Sequence, residues 1–453
     1  MTGTASAARP AEVTVPDGPF PMALWSEAVY SRRAIPDTLA AGAPVPGMTD
    51  PGQDPLPAGP RLPLAPPPLR LPPSPGSPAG LADPAVLAAL LHYSYGLLQH
   101  DPTPGGRPLH RAVASARCRY PSELTLVTPE AAYRFDPLRH QLVGLGVPSA
   151  ARRPFAPGPP AFLAITSRFA RTARLYGDYA PRLCAQEAGM LLGAVHLVAA
   201  ALGLPARPGA DLGTLLGLCA NWLPETGEHP MGYVELGPDS STVADPATVA
   251  DPASPRAGGP PWLPPDLASV LRARHSGAAI FDPAPVAAPA RLLTDLGAAL
   301  ADAPFDDFSC HLLVSRVTGT EPGHLVHDSG QTRRVQDGDP LPLLEQIGQT
   351  EGRVSMNFRA TACTAYIAVR RGEAVAKYGA DAFRRLHLTA GAVAHRICVV
   401  AARHGLSARV HNGYDAARAA HLLGLSPDEE TVLFQVALGT ARPGASFRVP
   451  VVF

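Results

Sequence analysis

The chain is short of charge. Only 17% of its 453 residues are Asp, Glu, Lys or Arg, and 38 basic residues balance 38 acidic ones. With no net field to hold a polyanion, neither nucleic acid nor an anionic membrane surface is expected as a partner. Cysteine is scarce and scattered: Cys118, Cys184, Cys219, Cys310, Cys363 and Cys398 form no C-x-x-C pair and no Cys/His cluster. That spacing speaks against a zinc site and suits a reducing, cytoplasmic setting. Nucleotide signatures are missing as well. No G-x-G-x-x-G follows a strand, no P-loop lysine motif occurs, and no G-x-S-x-G elbow is present. A Rossmann dinucleotide site, an NTPase and an α/β-hydrolase are therefore unsupported. The N-terminus lacks a basic stretch followed by an apolar one, so no signal peptide is expected. One apolar run, Ala188 to Leu204, is short for a membrane span and holds His196 near its middle. A buried core helix accounts for it better.

What is present is apolar residue, at 46%, and proline, at 54 positions, many of them in the first 80 residues. Proline removes amide donors and blocks helices, so residues 1–80 should be extended or disordered, a linker or a peptide-contacting arm. A folded pattern starts at Leu81. "LADPAVLAALLHYSYGLL" reads as a helix capped by Asp83 with Pro84 in its first turn. Strand patterns follow at "ELTLV" and "FLAITSRF", with a hairpin between them, and then a long helix from about Tyr179 to Leu202. A second Pro/Gly-rich stretch, residues 238–264, separates this half (81–237) from another (265–453).

The halves repeat each other. At an offset of 202 residues, 175–204 aligns without a gap on 377–406, with identities that include Tyr176/Tyr378, Gly177/Gly379, Arg182/Arg384, Gly189/Gly391, Gly203/Gly405 and Leu204/Leu406. The same offset sets "HPMGYVELG" on "TVLFQVALG", ending at Gly237 and Gly439. A shared Y-G-x4-R start, helix, G-L stop and strand in one register mark a diverged tandem duplication.

Two local motifs carry chemistry. Arg272, Arg274 and Ser276 close a predicted helix, and two guanidiniums with a hydroxyl suit a phosphate monoester; the same run also describes a solvated helix end. In the first half, Ala114-Ser115-Ala116-Arg117-Cys118-Arg119-Tyr120-Pro121 precedes a strand. This segment resembles the P-S-x-G-A-x-Y-P element of SagB-type nitroreductase-like dehydrogenases, which oxidise azolines to azoles in ribosomally made peptides. Ser115, Tyr120 and Pro121 match; Ala114 and Arg117 replace the Pro and Gly. The R-x-S element with Phe281 and Pro285-Val286, the Y-G-x4-R start holding Arg384, "LLGLSPDEE" and the closing "VALG" with Gly439 extend the resemblance over nearly all of 81–445.

The resemblance implies an α+β fold of two nitroreductase-like halves joined as an intramolecular pseudo-dimer, with noncovalently bound FMN. Its cofactor-binding residues would be Arg272, Arg274, Ser276, Ser115, Tyr120, Arg384 and Gly439. It implies an azoline-bearing precursor peptide as substrate, of the thiopeptide or thiazole/oxazole-modified kind, with a cyclodehydratase or leader-binding protein as further partner. The Lys-Tyr pair of azoline oxidases falls on Lys377 and Tyr378. Aromatising a thiazoline removes a proton beside the imine and a hydride from the adjacent carbon. Lys377 would be the base, provided burial or a nearby cation keeps it neutral, with Tyr378 relaying the proton or orienting the ring. The Ser115–Pro121 loop survives only in the first half, and R-x-R-x-S and Lys-Tyr only in the second. One composite FMN site is therefore expected. The rival readings are a reductase of small nitro or quinone compounds and a non-catalytic scaffold in a peptide-modifying complex.

Overall fold

A computed structural model describes residues 57–71, 81, 83–101, 109–145, 161–223, 228–237, 260–276, 280–283, 287–350, 353–354, 356–426, 429–442 and 449–451. Most of the Pro-rich N-terminal segment and residues 238–259 of the expected linker lie outside them.

Each half is an antiparallel sheet backed by a long helix. The first half contains β1 (Arg61–Pro63), β2 (Leu97–His100), β3 (Leu109–Arg111), β4 (Ser122–Val127), β5 (Ala132–Asp136), β6 (Gln141–Gly144), β7 (Ala161–Ser167), β8 (Ala206–Gly209) and β9 (His229–Leu236). The second contains β10 (Phe308–Val314), β11 (Gly323–Asp328), β12 (Gln331–Asp337), a small β13 (Gln349–Thr350) and β14 (Arg353–Val354) ribbon, β15 (Thr361–Arg370), β16 (Ser407–His411), β17 (Glu430–Gly439) and β18 (Val449–Pro450). The first sheet runs β1-β6-β5-β4-β7-β9-β8 and the second β12-β11-β10-β15-β17-β16. Apart from the added edge strand β1, the two orders are the same. The helices are α1 (Pro84–Tyr95), α2 (Phe169–Tyr176), α3 (Ala180–Ala201), α4 (Leu212–Cys219), α5 (Leu267–Ala273), α6 (Arg291–Ala301), α7 (Leu341–Gly348), α8 (Arg371–Tyr378), α9 (Ala382–Arg403) and α10 (Ala416–Leu422). The 202-residue offset of the sequence places α2 on α8 and α3 on α9, end for end.

Local chemistry sets these elements. Asp83 accepts the Ala85 N–H at 2.8 Å and caps α1, with Pro84 in its first turn. Gly177 and Gly379 close α2 and α8 at φ +49°, ψ −133° and φ +55°, ψ −130°, a region open in practice to glycine alone. That turn is why Y-G survives in both copies.

The halves meet through α3 and α9, whose buried residues belong to one continuous core. The crossing is close. A Cβ at Gly189 would stand 2.2 Å from the Leu388 carbonyl oxygen, and one at Gly391 2.1 Å from that of Gln186. The apolar run read as a core helix is α3: it has the length and composition of a membrane span, yet 83% of that window is buried. Gly189→Ala should destabilise the protein by at least ~1–3 kcal/mol through overpacking, seen as a lower urea midpoint, because its neighbour is backbone and cannot move aside.

Both ends of the second half reach across. β18 pairs with β2, and Gln99 Nε2 donates to the Arg272 carbonyl on α5. The boundary drawn at residue 80 also cuts a sheet, since β1 pairs with β6 and Tyr93 Oη donates to the Pro68 carbonyl at 2.7 Å. Proline at an edge strand costs no ladder bond on its solvent side, so the Pro-rich composition is compatible with this strand.

Candidate functional site

A cavity of about 560 Å³ opens between the halves. The first half lines it with residues 113–118 and Tyr120, and with Tyr176, Tyr179, Leu183, Gln186, Glu187 and Met190 from the α2–α3 region. The second half contributes Arg274 and Ser276 beyond α5, Arg409 to Gly413 from β16 and its following loop, and Phe434 from β17. The lining mixes apolar side chains, among them Val113, Leu183, Met190 and Phe434, with the basic and hydroxyl-bearing Arg274 and Ser276.

The Ser115–Tyr120 loop is held in a costly conformation. Arg117, Cys118 and Tyr120 have φ of +50°, +54° and +46°, in the left-handed region that L side chains avoid. Arg117 stands where the resembling dehydrogenases have glycine, and its backbone keeps the glycine-like turn. Ser115 Oγ accepts the Tyr120 N–H at 2.8 Å, and Tyr120 Oη accepts the Arg111 N–H at 3.1 Å. Arg171 Nη1 donates to the Tyr120 carbonyl at 3.0 Å. The Arg111 guanidinium lies 4.2 Å from the Tyr95 ring centre and 4.6 Å from that of Tyr120.

Arg274 is only 5% exposed. Its Nη2 donates to the Arg111 carbonyl at 3.1 Å. Its Nε and Nη1 are buried with no partner among the described residues. A buried guanidinium with two unused donors is a costly arrangement unless an anion fills it. Deeper in, Gln186 Nε2 donates to the Leu433 carbonyl at 2.8 Å and Gln186 Oε1 accepts from Asn412 Nδ2 at 2.7 Å. Asn412 Oδ1 is left buried and unpartnered among the described residues. Glu187 accepts from Tyr95 Oη at 2.9 Å, and burial raises its pKa above the ordinary carboxylate value. Arg274 and Ser276 offer donors suited to a phosphate, and the unpartnered Asn412 Oδ1 offers an acceptor in the same cavity.

The cavity brings together Arg274, Ser276, Ser115 and Tyr120, from opposite halves. The other expected residues lie elsewhere. Arg272 Nη1 donates to Tyr93 Oη at 2.5 Å, so α1 takes this guanidinium away from the cavity. Arg384 is a clasp between the halves: it donates to the Met231 and Ala210 carbonyls, the latter at 2.6 Å, and pairs with Asp381. Arg182 mirrors it, donating to the Leu433 carbonyl at 2.7 Å. Gly439 packs under Phe281, whose Cδ1 would lie 2.8 Å from an added Cβ; the glycine makes room for a ring and not for a cofactor.

Lys377 and Tyr378 are also outside the cavity. Tyr176, which the 202-residue offset aligns with Tyr378, does line the cavity. Lys377 is exposed, 4.9 Å from the Tyr378 ring centre. The Tyr378 side chain raises the Lys377 pKa above its ordinary value, so the amine stays protonated, the reverse of what a base requires. Arg409, Asn412, Glu187 and Tyr179 escaped the sequence reading. The repeat offered one signal for Tyr176, but nothing in the spacing points to a loop 236 positions further on, from Tyr176 to Asn412.

A protein of Anabaena variabilis assigned as a nitroreductase superposes with a TM-score of 0.62 at 18% identity, over 80% of this chain and 88% of that one. The chain has the nitroreductase fold. Residues 330–440 match the nitroreductase family in sequence. Also similar are the Escherichia coli microcin synthetase McbBCD complex with truncated pro-MccB17 bound (15% identity, 36% of this chain and 67% of that one, TM-score 0.30) and an Exiguobacterium sibiricum protein assigned as a nitroreductase, solved with FMN (15%, 41% and 93%, TM-score 0.28). No curated protein matches the chain in sequence.

Proposed function

We propose that the chain is an FMN-dependent oxidoreductase that oxidises azolines to azoles in a ribosomally made peptide, with one flavin site built from both halves of an intramolecular pseudo-dimer. The observation that carries the flavin reading is the buried Arg274 guanidinium with two unpartnered donors, lining one cavity with Ser276 and with Ser115 and Tyr120 of the other half. FMN would be held there by Arg274 and Ser276 at its phosphate and by Ser115, Tyr120, Asn412 and the apolar lining residues Val113, Leu183, Met190 and Phe434 around its ring. When bound it supplies a two-electron acceptor. The chain's own residues supply position, exclusion of water and proton transfer.

The azoline substrate rests on the sequence resemblance to SagB-type dehydrogenases. A second reading, reduction of small nitro or quinone compounds, is favoured by one observation: the lysine of the azoline-oxidase pair stands outside the cavity. Purified protein separates the two. An azoline oxidase aromatises a thiazoline peptide and passes its electrons to O₂ or another acceptor, whereas a reductase turns over NAD(P)H steadily without peptide. Flavin titration should saturate at one FMN per chain; saturation at two, or a colourless protein that takes up no FMN, would sink the composite site. Lys377→Ala should retain flavin and change the azole-forming rate by less than about threefold, as expected of a protonated surface lysine. A loss of the size expected for a missing general base, about 10²–10⁴-fold, would return that role to Lys377.

A further inference from the structure

The cavity wall contains a chemical group that the flavin reading leaves without a role. Cys118 and His110 both line it. The Cys118 thiol lies 3.7 Å from His110 Nδ1, and His110 Nε2 faces Asp101 Oδ2 at 4.0 Å. Three neighbouring pieces of chain bring these groups together. His110 sits in the middle of β3, Asp101 directly follows β2, its antiparallel partner, and Cys118 sits at φ +54° in the strained loop that Tyr120 ties back to Arg111. A non-glycine residue at positive φ costs free energy, and such cost collects at functional sites. In the motif that the loop resembles, Cys118 takes the place of an alanine, so the thiol distinguishes this chain.

Cys118 also stands apart from the other cysteines. It is partly exposed, and the remaining five are buried. Burial pushes the Cys184, Cys219 and Cys363 thiols up to about 12 and Cys398 up to about 11, which keeps them as inert thiols.

We propose that Cys118, His110 and Asp101 form a thiol–imidazole–carboxylate relay that serves as the proton acceptor of the cavity. The Sγ–H proton passes to His110 Nδ1, leaving a thiolate beside an imidazolium that faces Asp101. The relay rests on the dehydrogenase reading for its substrate but not for its own acid–base chemistry. In that reaction the thiolate takes the proton from the azoline carbon beside the imine: an S–H bond forms as the C–H bond breaks. The hydrogen on the adjacent carbon leaves with its electron pair to the flavin oxidant named above. Cys118 handles only the proton, and His110 and Asp101 position and charge it.

Alkylation of the full chain by iodoacetamide from pH 5 to 9, followed by mass spectrometry of the Cys118 peptide, tests the relay without flavin chemistry. Cys118 should label at least about tenfold faster at pH 6.5 than an ordinary thiol of pKa ~8.5. His110→Gln should return its profile to that of the ordinary thiol, and Asp101→Asn should shift it part of the way. An identical pH profile in wild type and His110→Gln overturns the proposal. In a second arm, Cys118→Ala and the size-conserving Cys118→Ser should keep the flavin and lose anaerobic flavin reduction by the peptide about 10²–10⁴-fold. Wild-type rates in both variants would overturn the relay and leave the flavin reading standing. A protein that takes up no flavin yet shows His110-dependent alkylation would remove the flavin reading and support the relay.

Discussion

Arg274→Ala is expected to abolish tight flavin binding, with Kd rising between about thirtyfold and several thousandfold. The range follows from the ~2–5 kcal/mol lost when one member of a desolvated, hydrogen-bonded charge pair is removed, at ~1.4 kcal/mol per decade. The position justifies the size of the effect. Arg274 is anchored by one bond to the Arg111 carbonyl, and its Nε and Nη1 remain for the ligand. Arg274→Lys should recover little of the loss, because an ammonium cannot hold that carbonyl and also present a planar fork to a phosphate. Arg272→Ala is the informative comparison. Its guanidinium is occupied by Tyr93, so flavin affinity should change by less than about threefold, although the α1–α5 contact loosens. Fluorescence quenching of FMN on titration measures all three. Equal losses for Arg272 and Arg274 would show that the phosphate is not held where the cavity suggests.

Arg134→Ala is expected to be the most destabilising substitution in the first half, at ~3–5 kcal/mol by urea unfolding. Arg134 is fully buried between two carboxylates: Nη1 and Nη2 reach Glu228 at 2.9 and 2.8 Å, and Nη1 lies 3.3 Å from Glu123. Arg168 joins both acids at 3.2 and 3.1 Å, and Arg171 holds Glu123 at 2.6 Å. Removing Arg134 leaves Glu228 buried with less compensation. Replacing Arg134 and Glu228 together by Leu should cost less than Arg134→Ala alone, since no uncompensated charge remains between them. The network also carries a pH signature. Burial alone would raise the Glu123 pKa, but Arg171, Arg134 and Arg168 outweigh it and hold the value below 4.5. A carboxyl depressed in the folded state contributes stability that is complete above its unfolded value and disappears as pH falls through the folded one. Acid should therefore erode wild-type stability below about pH 4.5, and less steeply in Arg134→Ala. Because Arg171 also holds the Tyr120 carbonyl, Arg134→Ala should raise the flavin Kd as well, by a smaller factor than Arg274→Ala.

The tandem plan was legible in the residues because it is written in local, periodic signals. Y-G marks a turn that needs positive φ, G-L marks a helix stop, and a constant 202-residue offset relates the copies. Gly189 and Gly391, aligned by that offset, lie at the close helix crossing that seats one half on the other. The pairing of Arg274 and Ser276 with Ser115 and Tyr120 was also readable, because each half lacks what the other retains. The direction of each side chain was not. Arg272 and Arg274 are two residues apart, yet the first turns to Tyr93 and the second enters the cavity; helix α5 ends between them, and the rotation of the last turn decides which guanidinium faces inward. Lys377 precedes Tyr378 as motif reading would have it, but neither lines the cavity that Arg274 and Ser276 share with the first half. Cys118, His110 and Asp101 became a unit only through the β2–β3 pairing and the folded-back loop. Sequence determined which elements form and that they form twice. Packing across the α3–α9 seam decided which residues share a cavity, because that choice depends on contacts between residues distant in the chain that no local spacing encodes.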